Sequence, residues 1–247
     1  MIDSHCHLDD VRFQKDLSQV ITHAEQLGVR RFIIAGVRHS QWEKQQKIKS
    51  QYPHIIFNAF GIHPWFCHEH NVLHQQQLSN LLDGAIAIGE CGLDFTPNKP
   101  PEALQRTWFQ WHIEQAQARR LPLIIHAVKS LDAVMQQLKP YPSLRGVIHG
   151  FSGNFQQAEK LIAMGFHLGI GARLLHPHAR KLHHLASQLP LHALLLESDA
   201  PDGLGKVQRN EPAIIATIAQ KLAMLRNQDE STIVAACTQN TEELFQL

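Results

Sequence analysis

The chain has 247 residues, of which 44% are hydrophobic and 18% are charged. This balance allows a core large enough to offset the conformational entropy of folding, so a wholly disordered chain is excluded. Basic residues number 23 and acidic residues 22, a formal net charge of +1, which excludes a strongly basic surface for gripping long duplex DNA. The longest apolar runs, such as residues 32–37, are far shorter than the roughly 20 residues of a membrane-spanning helix.

The first residues contain neither the basic nor the apolar segment of a secretion signal. No C-x-x-C pair occurs, which favours neither a disulfide framework nor a thiolate zinc site. We therefore expect a cytoplasmic protein with no membrane association and no obligatory protein partner. The cysteines that we expect to be reduced are Cys6, Cys67, Cys91 and Cys237.

Short apolar, β-branched runs alternate with amphipathic stretches along the whole chain. The predicted strands cover residues 2–8, 29–37, 55–62, 85–91, 122–127, 145–150, 166–171 and 193–199. Helical spacing lies between them, for example over residues 16–27, 41–51, 104–119 and 156–164. Eight strand–helix units in about 250 residues predict an α/β protein with a single (β/α)8 TIM barrel over residues 1–247. An open doubly wound sheet is the alternative.

Two further helices are predicted after the last strand, over residues 211–225 and 230–244. A barrel of eight units needs only one of them, so we expect an extra C-terminal helix that packs on the outside of the barrel. The proline-rich residues 96–101 and the stretch 201–210 are predicted as loops that follow the fourth and eighth strands.

Polar side chains end several of the predicted strands. His5 and His7 share one face of the first strand because side chains alternate along a strand, which places Cys6 on the other face. The C-terminal ends of parallel barrel strands meet at one mouth, where barrel enzymes carry out catalysis. The polar residues at these ends are His5, His7, His63, Glu90, His126, His149 and Asp199.

Four histidines and two carboxylates of this set are predicted to bind metal, because buried groups of this kind are costly unless a metal satisfies them. Six ligands exceed the three or four of one zinc ion, so we predict two divalent metals with Glu90 as the shared carboxylate. Nitrogen-rich ligation without thiolates suits Zn, Mn, Ni or Fe better than Ca, and Mg prefers more oxygen ligands. Hydrolysis by an activated water is the predicted reaction.

Several segments carry a family resemblance, and they run in order along the chain. They are Asp3-Ser4-His5-Cys6-His7-Leu8-Asp9, Gly61-Ile62-His63-Pro64, Gly89-Glu90-Cys91-Gly92-Leu93-Asp94, Ile125-His126, His149-Gly150-Phe151-Ser152-Gly153, Glu197-Ser198-Asp199-Ala200-Pro201 and Arg209-Asn210-Glu211-Pro212. Together they resemble the TatD family of metal-dependent deoxyribonucleases in the amidohydrolase superfamily, and most of all its YjjV-like subgroup. The resemblance implies a cytoplasmic, two-metal barrel hydrolase that acts on DNA, often as an exonuclease at a 3′ end.

The resemblance also implies roles for individual residues. The ligands of one metal would be His5, His7, Glu90 and Asp199, and those of the second would be Glu90, His126 and His149. Asp199 would in addition orient or deprotonate the attacking water, which makes Asp199 and Glu90 the catalytic residues. His63 would contact the substrate or its phosphate at the mouth.

One departure from the family concerns the residue two positions after the histidine of the fifth strand, where the family commonly has arginine and this chain has Val128. We predict that the neighbouring Lys129 contacts the substrate instead, although a lysine cannot form the two-pronged contact of a guanidinium. Lys206 and Arg209, beyond the last strand, are predicted to contact phosphate, with a solvated loop as the alternative.

Three side chains near the mouth are assigned supporting roles. Trp65 and Phe66 are candidates for stacking a nucleobase, with simple anchoring of the loop as the alternative. Glu197 shares a strand face with Asp199, which predicts that it orients a ligand histidine.

The leading hypothesis is therefore a metal-dependent phosphodiesterase acting on DNA ends or single strands. Its alternative is a hydrolase of a small amide, lactone or phosphoester on the same metal centre, because fold and metals do not distinguish the two. A non-catalytic scaffold is a third alternative, against which the complete set of predicted ligands argues.

Overall fold

The fold is described from a computed structural model that covers residues 1–205 and 208–247. Lys206, one of the predicted phosphate contacts, lies outside the described residues. Eight parallel strands follow one another around the sheet in chain order, as the prediction of a barrel requires. The strands are β1 (Ile2–Cys6), β2 (Arg31–Ala35), β3 (Ile56–Phe60), β4 (Ala87–Asp94), β5 (Leu123–Val128), β6 (Gly146–Ile148), β7 (Phe166–Ile170) and β8 (Leu194–Leu196).

Helices follow the strands and cover the outside of the barrel. They are α1 (Leu17–Gln26), α2 (His39–Gln51), α3 (Val72–Leu81), α4 (Glu102–Arg119), α5 (Leu131–Leu138), α6 (Phe155–Ala163), α7 (Arg180–Gln188), α8 (Ile214–Arg226) and α9 (Glu230–Phe245). A short 3₁₀ helix, Pro64–Glu69, follows β3 at the mouth. Within the described ranges, every helix is too short or too polar to cross a lipid bilayer.

The alternation of side chains along the strands divides the core into two layers. In β2, Phe32 and Ile34 face the surrounding helices, whereas Ile33 and Ala35 belong to a separate apolar cluster. This second cluster joins residues from strands that lie across the barrel from one another, and such residues can meet only in the barrel interior. Its strand residues are Ile33, Ala35, Ala59, Ala87, Ile124, Val147 and Leu195.

The predicted extra helix is α9, and it does more than cover the outside. It contacts α8, β8 and β1, but its last residues, Leu244 and Phe245, pack into the interior cluster. Phe57 and Ile86, near the N-terminal ends of β3 and β4, pack against the same cluster. The end of α9 therefore closes the bottom of the barrel, opposite the mouth, which the prediction of an outer helix did not include.

Backbone hydrogen bonds beyond the end of β8 join the last strand to the first. The Asp199 N–H donates to the His5 carbonyl over 2.9 Å, and the His7 N–H donates to the Ala200 carbonyl over 2.7 Å. Asp199 has a φ of +55°, in the left-handed region that few non-glycine residues adopt. This seam places the predicted ligand Asp199 directly beside His5 and His7.

Candidate metal centre

A cavity of about 430 Å³ opens at the C-terminal ends of the strands. Glu90, on β4, lines it and is only 2% exposed. His5 is fully buried on the inner side of β1, next to the cavity. The other predicted ligands all line the cavity, namely His7, His126, His149 and Asp199. The structure thus brings together residues that the sequence separates by up to 194 positions.

The two carboxylate oxygens of Glu90 face two different groups of histidines. Its Oε2 lies 3.4 Å from His5 Nε2 and 3.5 Å from His7 Nε2. Its Oε1 lies 3.0 Å from His126 Nδ1 and 3.3 Å from His149 Nε2. Glu90 therefore stands between the two ligand sets that the family resemblance implies for separate metals.

Asp199 completes the group around Oε2 of Glu90. Its Oδ1 is 3.7 Å from His5 Nε2 and 3.6 Å from His7 Nε2, and these two nitrogens are 3.2 Å apart. Two imidazole nitrogens and two carboxylates pointing at one small volume form a donor set that suits a divalent metal. Cys6 takes no part, because its Sγ lies 3.4 Å from the Ile33 carbonyl on the other side of the strand.

The hydrogen-bond partners behind two histidines show which nitrogen is available to a metal. His7 Nδ1 is 2.9 Å from the Ala35 carbonyl, which can only accept, so this nitrogen carries the hydrogen and Nε2 has the free lone pair. His126 Nε2 is 3.1 Å from the Asp94 carboxylate. A hydrogen on Nε2 would donate to Asp94 and leave Nδ1, which lies 3.0 Å from Glu90 Oε1, as the atom that can bind a metal. These residues fit a metal because a ligand histidine normally donates its other N–H to such a partner.

Glu197 holds a comparable place behind His149. Its Oε1 lies 3.4 Å from His149 Nδ1 and accepts a 2.6 Å hydrogen bond from the Gly150 N–H. Gly169 leaves room for this carboxylate, because a Cβ at that position would lie 2.0 Å from Glu197 Oε2. The contact agrees with the predicted role of Glu197 in orienting a ligand histidine.

His63 differs from the other histidines of the cavity. Its Nε2 is 3.4 Å from Glu90 Oε1, close enough to join a metal site with His126. However, its Nδ1 accepts a hydrogen bond from the Trp65 N–H, so the hydrogen of the neutral ring is on Nε2. Burial, aided by the neighbouring His126, holds the pKa of His63 well below its usual value. A neutral His63 therefore presents a donor to the cavity, as a substrate contact requires.

The two carboxylates of the centre are ionised at neutral pH. Burial alone would raise the pKa of Glu90, but the cluster of imidazoles around its carboxylate holds the pKa well below its usual value. Burial acts in the same direction on Asp199, and the neighbouring His7, together with His149 and His5, outweighs burial and lowers the pKa. Both side chains are therefore in the charged form that metal ligation needs.

Two of the predicted substrate contacts do not reach the cavity. The Arg209 guanidinium binds Asp16, with its two nitrogens 2.9 and 2.7 Å from the carboxylate, and also lies 2.7 Å from Glu211. Lys129 is exposed just beyond β5. Neither is among the described residues that line the cavity. Substrate contacts by Arg209 and Lys129 remain predictions, and their positions offer no support for them.

The aromatic residues that were assigned to base stacking do lie at the mouth. Trp65 is 42% exposed, and its indole N–H donates to Asp94 over 2.6 Å. The Lys99 ammonium lies 3.4 Å from the centre of the indole ring. Asp94 therefore links the exposed Trp65 to the predicted ligand His126, a connection that sequence reasoning missed although Asp94 ends the segment 89–94.

A parallel barrel with a histidine–carboxylate cluster at its C-terminal mouth has the architecture of a barrel metalloenzyme. Residues 2–246 match the family model described as TatD related DNase, and the chain belongs to this TatD family. It is 32% identical to the uncharacterized metal-dependent hydrolase YjjV of Escherichia coli K12, over 99% of this chain and 97% of the relative. It is 30% identical to a Pantoea protein named 3′-5′ ssDNA/RNA exonuclease TatD, over all of both chains.

The fold comparison agrees with the sequence comparison. The crystal structure of YjjV from Escherichia coli K12 superimposes with a TM-score of 0.94 at 30% identity, covering 100% of this chain and 98% of that one. A TatD family hydrolase from Entamoeba histolytica gives a TM-score of 0.89 at 21% identity, over 99% of this chain and 97% of the other, which shows the shared fold. The predicted fold class and family are thereby confirmed.

Proposed function

We propose that the chain is a divalent-metal-dependent hydrolase that cleaves phosphodiester bonds of DNA at ends or in single strands. The observation that carries the proposal is the position of Glu90, whose two oxygens face separate sets of histidines over 3.0–3.5 Å. The exonuclease names of relatives such as the Pantoea protein support the choice of a nucleic-acid substrate. We also propose that residues 1–247 act as one domain and that the protein works in the cytoplasm.

We propose two metals. One would be held by His5, His7, Glu90 and Asp199, and the other by Glu90, His126 and His149. The described donor atoms are imidazole nitrogens and carboxylate oxygens, which favours Zn, Mn or Ni over Mg. Bound here, the metals would supply Lewis-acid activation of the phosphoryl group and of the attacking water.

The protein's own side chains have defined tasks in this proposal. Asp199 is ionised, and its side chain is 30% exposed to the cavity, so its carboxylate can take the proton of the attacking water. His63 is neutral and can donate its Nε2 hydrogen to an oxygen of the phosphate. The carboxylates of Asp94 and Glu197 hold the rings of His126 and His149 in one orientation.

Cleavage of a single-stranded oligonucleotide, labelled at either end, tests the proposal with Mg, Mn or Zn added to purified protein. We expect stepwise shortening, and we expect Glu90→Gln and Asp199→Asn to reduce its rate at least about 10³-fold, since each change removes a group on which activation of water depends. Glu159→Gln, at an exposed position of α6, is the matched control and should cleave normally. A metal-loaded wild type that leaves DNA intact would redirect the assignment to small amides, lactones or phosphoesters.

A further inference from the structure

The cavity is lined by two arginines, Arg12 and Arg38, that the proposed chemistry does not use. Besides Glu90 and Asp199, the lining residues include the carboxylates of Asp10 and Asp202 and the guanidinium of Arg12. The charge of Arg12 is already engaged, because its nitrogens lie 2.8 and 2.9 Å from Asp202 and 2.9 Å from Asp10. This group therefore adds no net positive charge for a polyanionic substrate.

Arg38, which lies between β2 and α2 and lines the same cavity, is arranged differently. Among the described residues no carboxylate pairs with it, and its Nε is buried without a hydrogen-bond partner. The guanidinium carbon lies 4.6 Å from the centre of the Phe66 ring. Stacking on an aromatic ring holds a guanidinium in place and leaves its edge free for an anion.

The ring beneath Arg38 is itself anchored to the proposed machinery. The Phe66 N–H donates to the His63 carbonyl over 2.9 Å, and the Phe66 carbonyl accepts from His70 Nδ1 over 2.7 Å. Arg38 is thus held beside the residue that we propose as a substrate contact.

A second polar atom in this part of the cavity also lacks a partner. Gln41, in the first turn of α2, lines the cavity, and its Oε1 is buried with no hydrogen bond to any described residue. Buried polar atoms are nearly always paired. Arg38 and Gln41, three residues apart at the wall of one cavity, are therefore placed to hydrogen-bond a ligand that enters it.

We propose that Arg38 and Gln41 form a subsite for the nucleotide next to the cleaved bond, an inference that rests on the proposed function. Arg38 binds the neighbouring, uncleaved phosphate through charge-assisted hydrogen bonds, which guanidinium groups form with two oxygens at once. Gln41 Oε1 accepts a hydrogen bond from the nucleoside attached to that phosphate. The substrate class is therefore a strand with at least two phosphates.

The kinetic test uses three dithymidine substrates: TpT, with one phosphate, and pTpT and TpTp, each with one more at the 5′ or the 3′ end. We expect the wild type to favour one of the two longer compounds over TpT about tenfold in kcat/KM, the gain typical of a hydrogen bond to a charged group. Arg38→Met should abolish this ratio. Arg145→Met, at an exposed position before β6 and away from the cavity, should keep it.

Binding of a cleavage-resistant phosphorothioate oligothymidylate gives a readout that does not depend on turnover. The logarithm of its affinity, plotted against the logarithm of salt concentration, should lose about 0.7 of its slope in Arg38→Met, as expected for one single-strand phosphate contact. Gln41→Leu should weaken binding and leave the slope unchanged.

The two proposals fail in different ways. If the wild type cleaves none of the three dinucleotides or the longer strand, the proposed function is wrong, and the salt slope still decides the subsite. If Arg38→Met keeps both the wild-type ratio and the wild-type slope, the subsite is overturned whatever the wild type cleaves.

Discussion

Each imidazole near the cavity is oriented by the group behind it, and that group determines what the ring can do. A carbonyl behind His7 and a carboxylate behind His126 leave lone pairs for a metal, whereas the backbone N–H behind His63 leaves a donor. Three histidines at equivalent strand ends therefore have different chemistry. The sequence shows that these histidines end strands, but it does not show their partners, which come from other strands and loops.

His112 shows the same control of a ring away from the cavity. It is fully buried in α4, where its Nδ1 donates to the Trp108 carbonyl over 2.7 Å and its Nε2 accepts from the Ile62 N–H over 3.1 Å. Burial lowers the pKa of His112 to about 4, which the hydrogen bond to Trp108 only partly opposes. The neutral ring thus holds the loop that leads to His63.

This shifted pKa predicts a pH dependence of stability. The pKa of His112 is lower in the folded chain than the ordinary 6.5, so its contribution is complete above pH 6.5 and is lost as the pH falls toward 4. We expect about 2 kcal/mol of the free energy of unfolding to be lost between pH 7 and pH 5 on account of this ring. Urea unfolding of wild type and His112→Gln at both pH values measures it.

The difference between the two proteins isolates His112 from the other histidines. His112→Gln should be less stable than wild type at pH 7 and should lose about 2 kcal/mol less on acidification. His54→Gln, at an exposed position, should follow the wild type at both pH values. An equal loss in wild type and His112→Gln would contradict the assignment.

At the scale of secondary-structure elements, α9 closes the bottom of the barrel. Phe245 is 3% exposed and packs with Leu244 into the interior cluster at the end opposite the mouth. Phe245→Ala should lower the free energy of unfolding by about 3–5 kcal/mol, because it removes a buried ring and leaves a cavity. Urea unfolding measures the loss, and Met224→Ala, which is 71% exposed on α8, is the control and should change stability little. A loss below about 1 kcal/mol would show that closure of the barrel bottom by α9 contributes little to the free energy of unfolding.

The sequence predicts most elements well and their ends less well. The apolar run of β8 was expected over residues 193–199, but regular pairing stops at Leu196 because the chain turns to join β1 and reaches φ +55° at Asp199. The helix expected from residue 211 begins at Ile214, after a turn in which the Ile214 N–H donates to the Glu211 carbonyl over 3.0 Å. Both differences depend on local turns that hydrophobic spacing does not report.

For the site, the strand-end rule predicts every residue of the histidine–carboxylate cluster, whereas the cations around it depend on loops. Arg209 was a reasonable phosphate contact by position, yet Asp16, which is 193 residues away in sequence, binds it. Arg38 carried no motif, and only its stacking on Phe66 and its unpaired Nε single it out. Such pairings are set by tertiary structure, which spacing along the chain does not contain.

At the scale of the whole molecule, metal and fold should stabilise each other. A ligand that binds only the folded state at about 100 times its Kd adds about 2.7 kcal/mol to the free energy of unfolding. We therefore expect the Tm of EDTA-treated protein to rise by about 5 °C or more when Zn or Mn is added back. Glu90→Gln should reduce this rise strongly and Glu159→Gln should not. If adding Zn or Mn leaves the Tm of the EDTA-treated wild type unchanged, the proposed metal centre is contradicted.

The seam between β8 and β1 determines when the predicted site can form during synthesis of the chain. His5 and His7 leave the ribosome almost 200 residues before Asp199 and the backbone groups that hold it. A chain that stops before Asp199 lacks one predicted metal ligand, the seam between β8 and β1, and the α9 residues that close the bottom of the barrel. The full set of predicted ligands therefore comes together only after the seam residues that follow β8 have been synthesised.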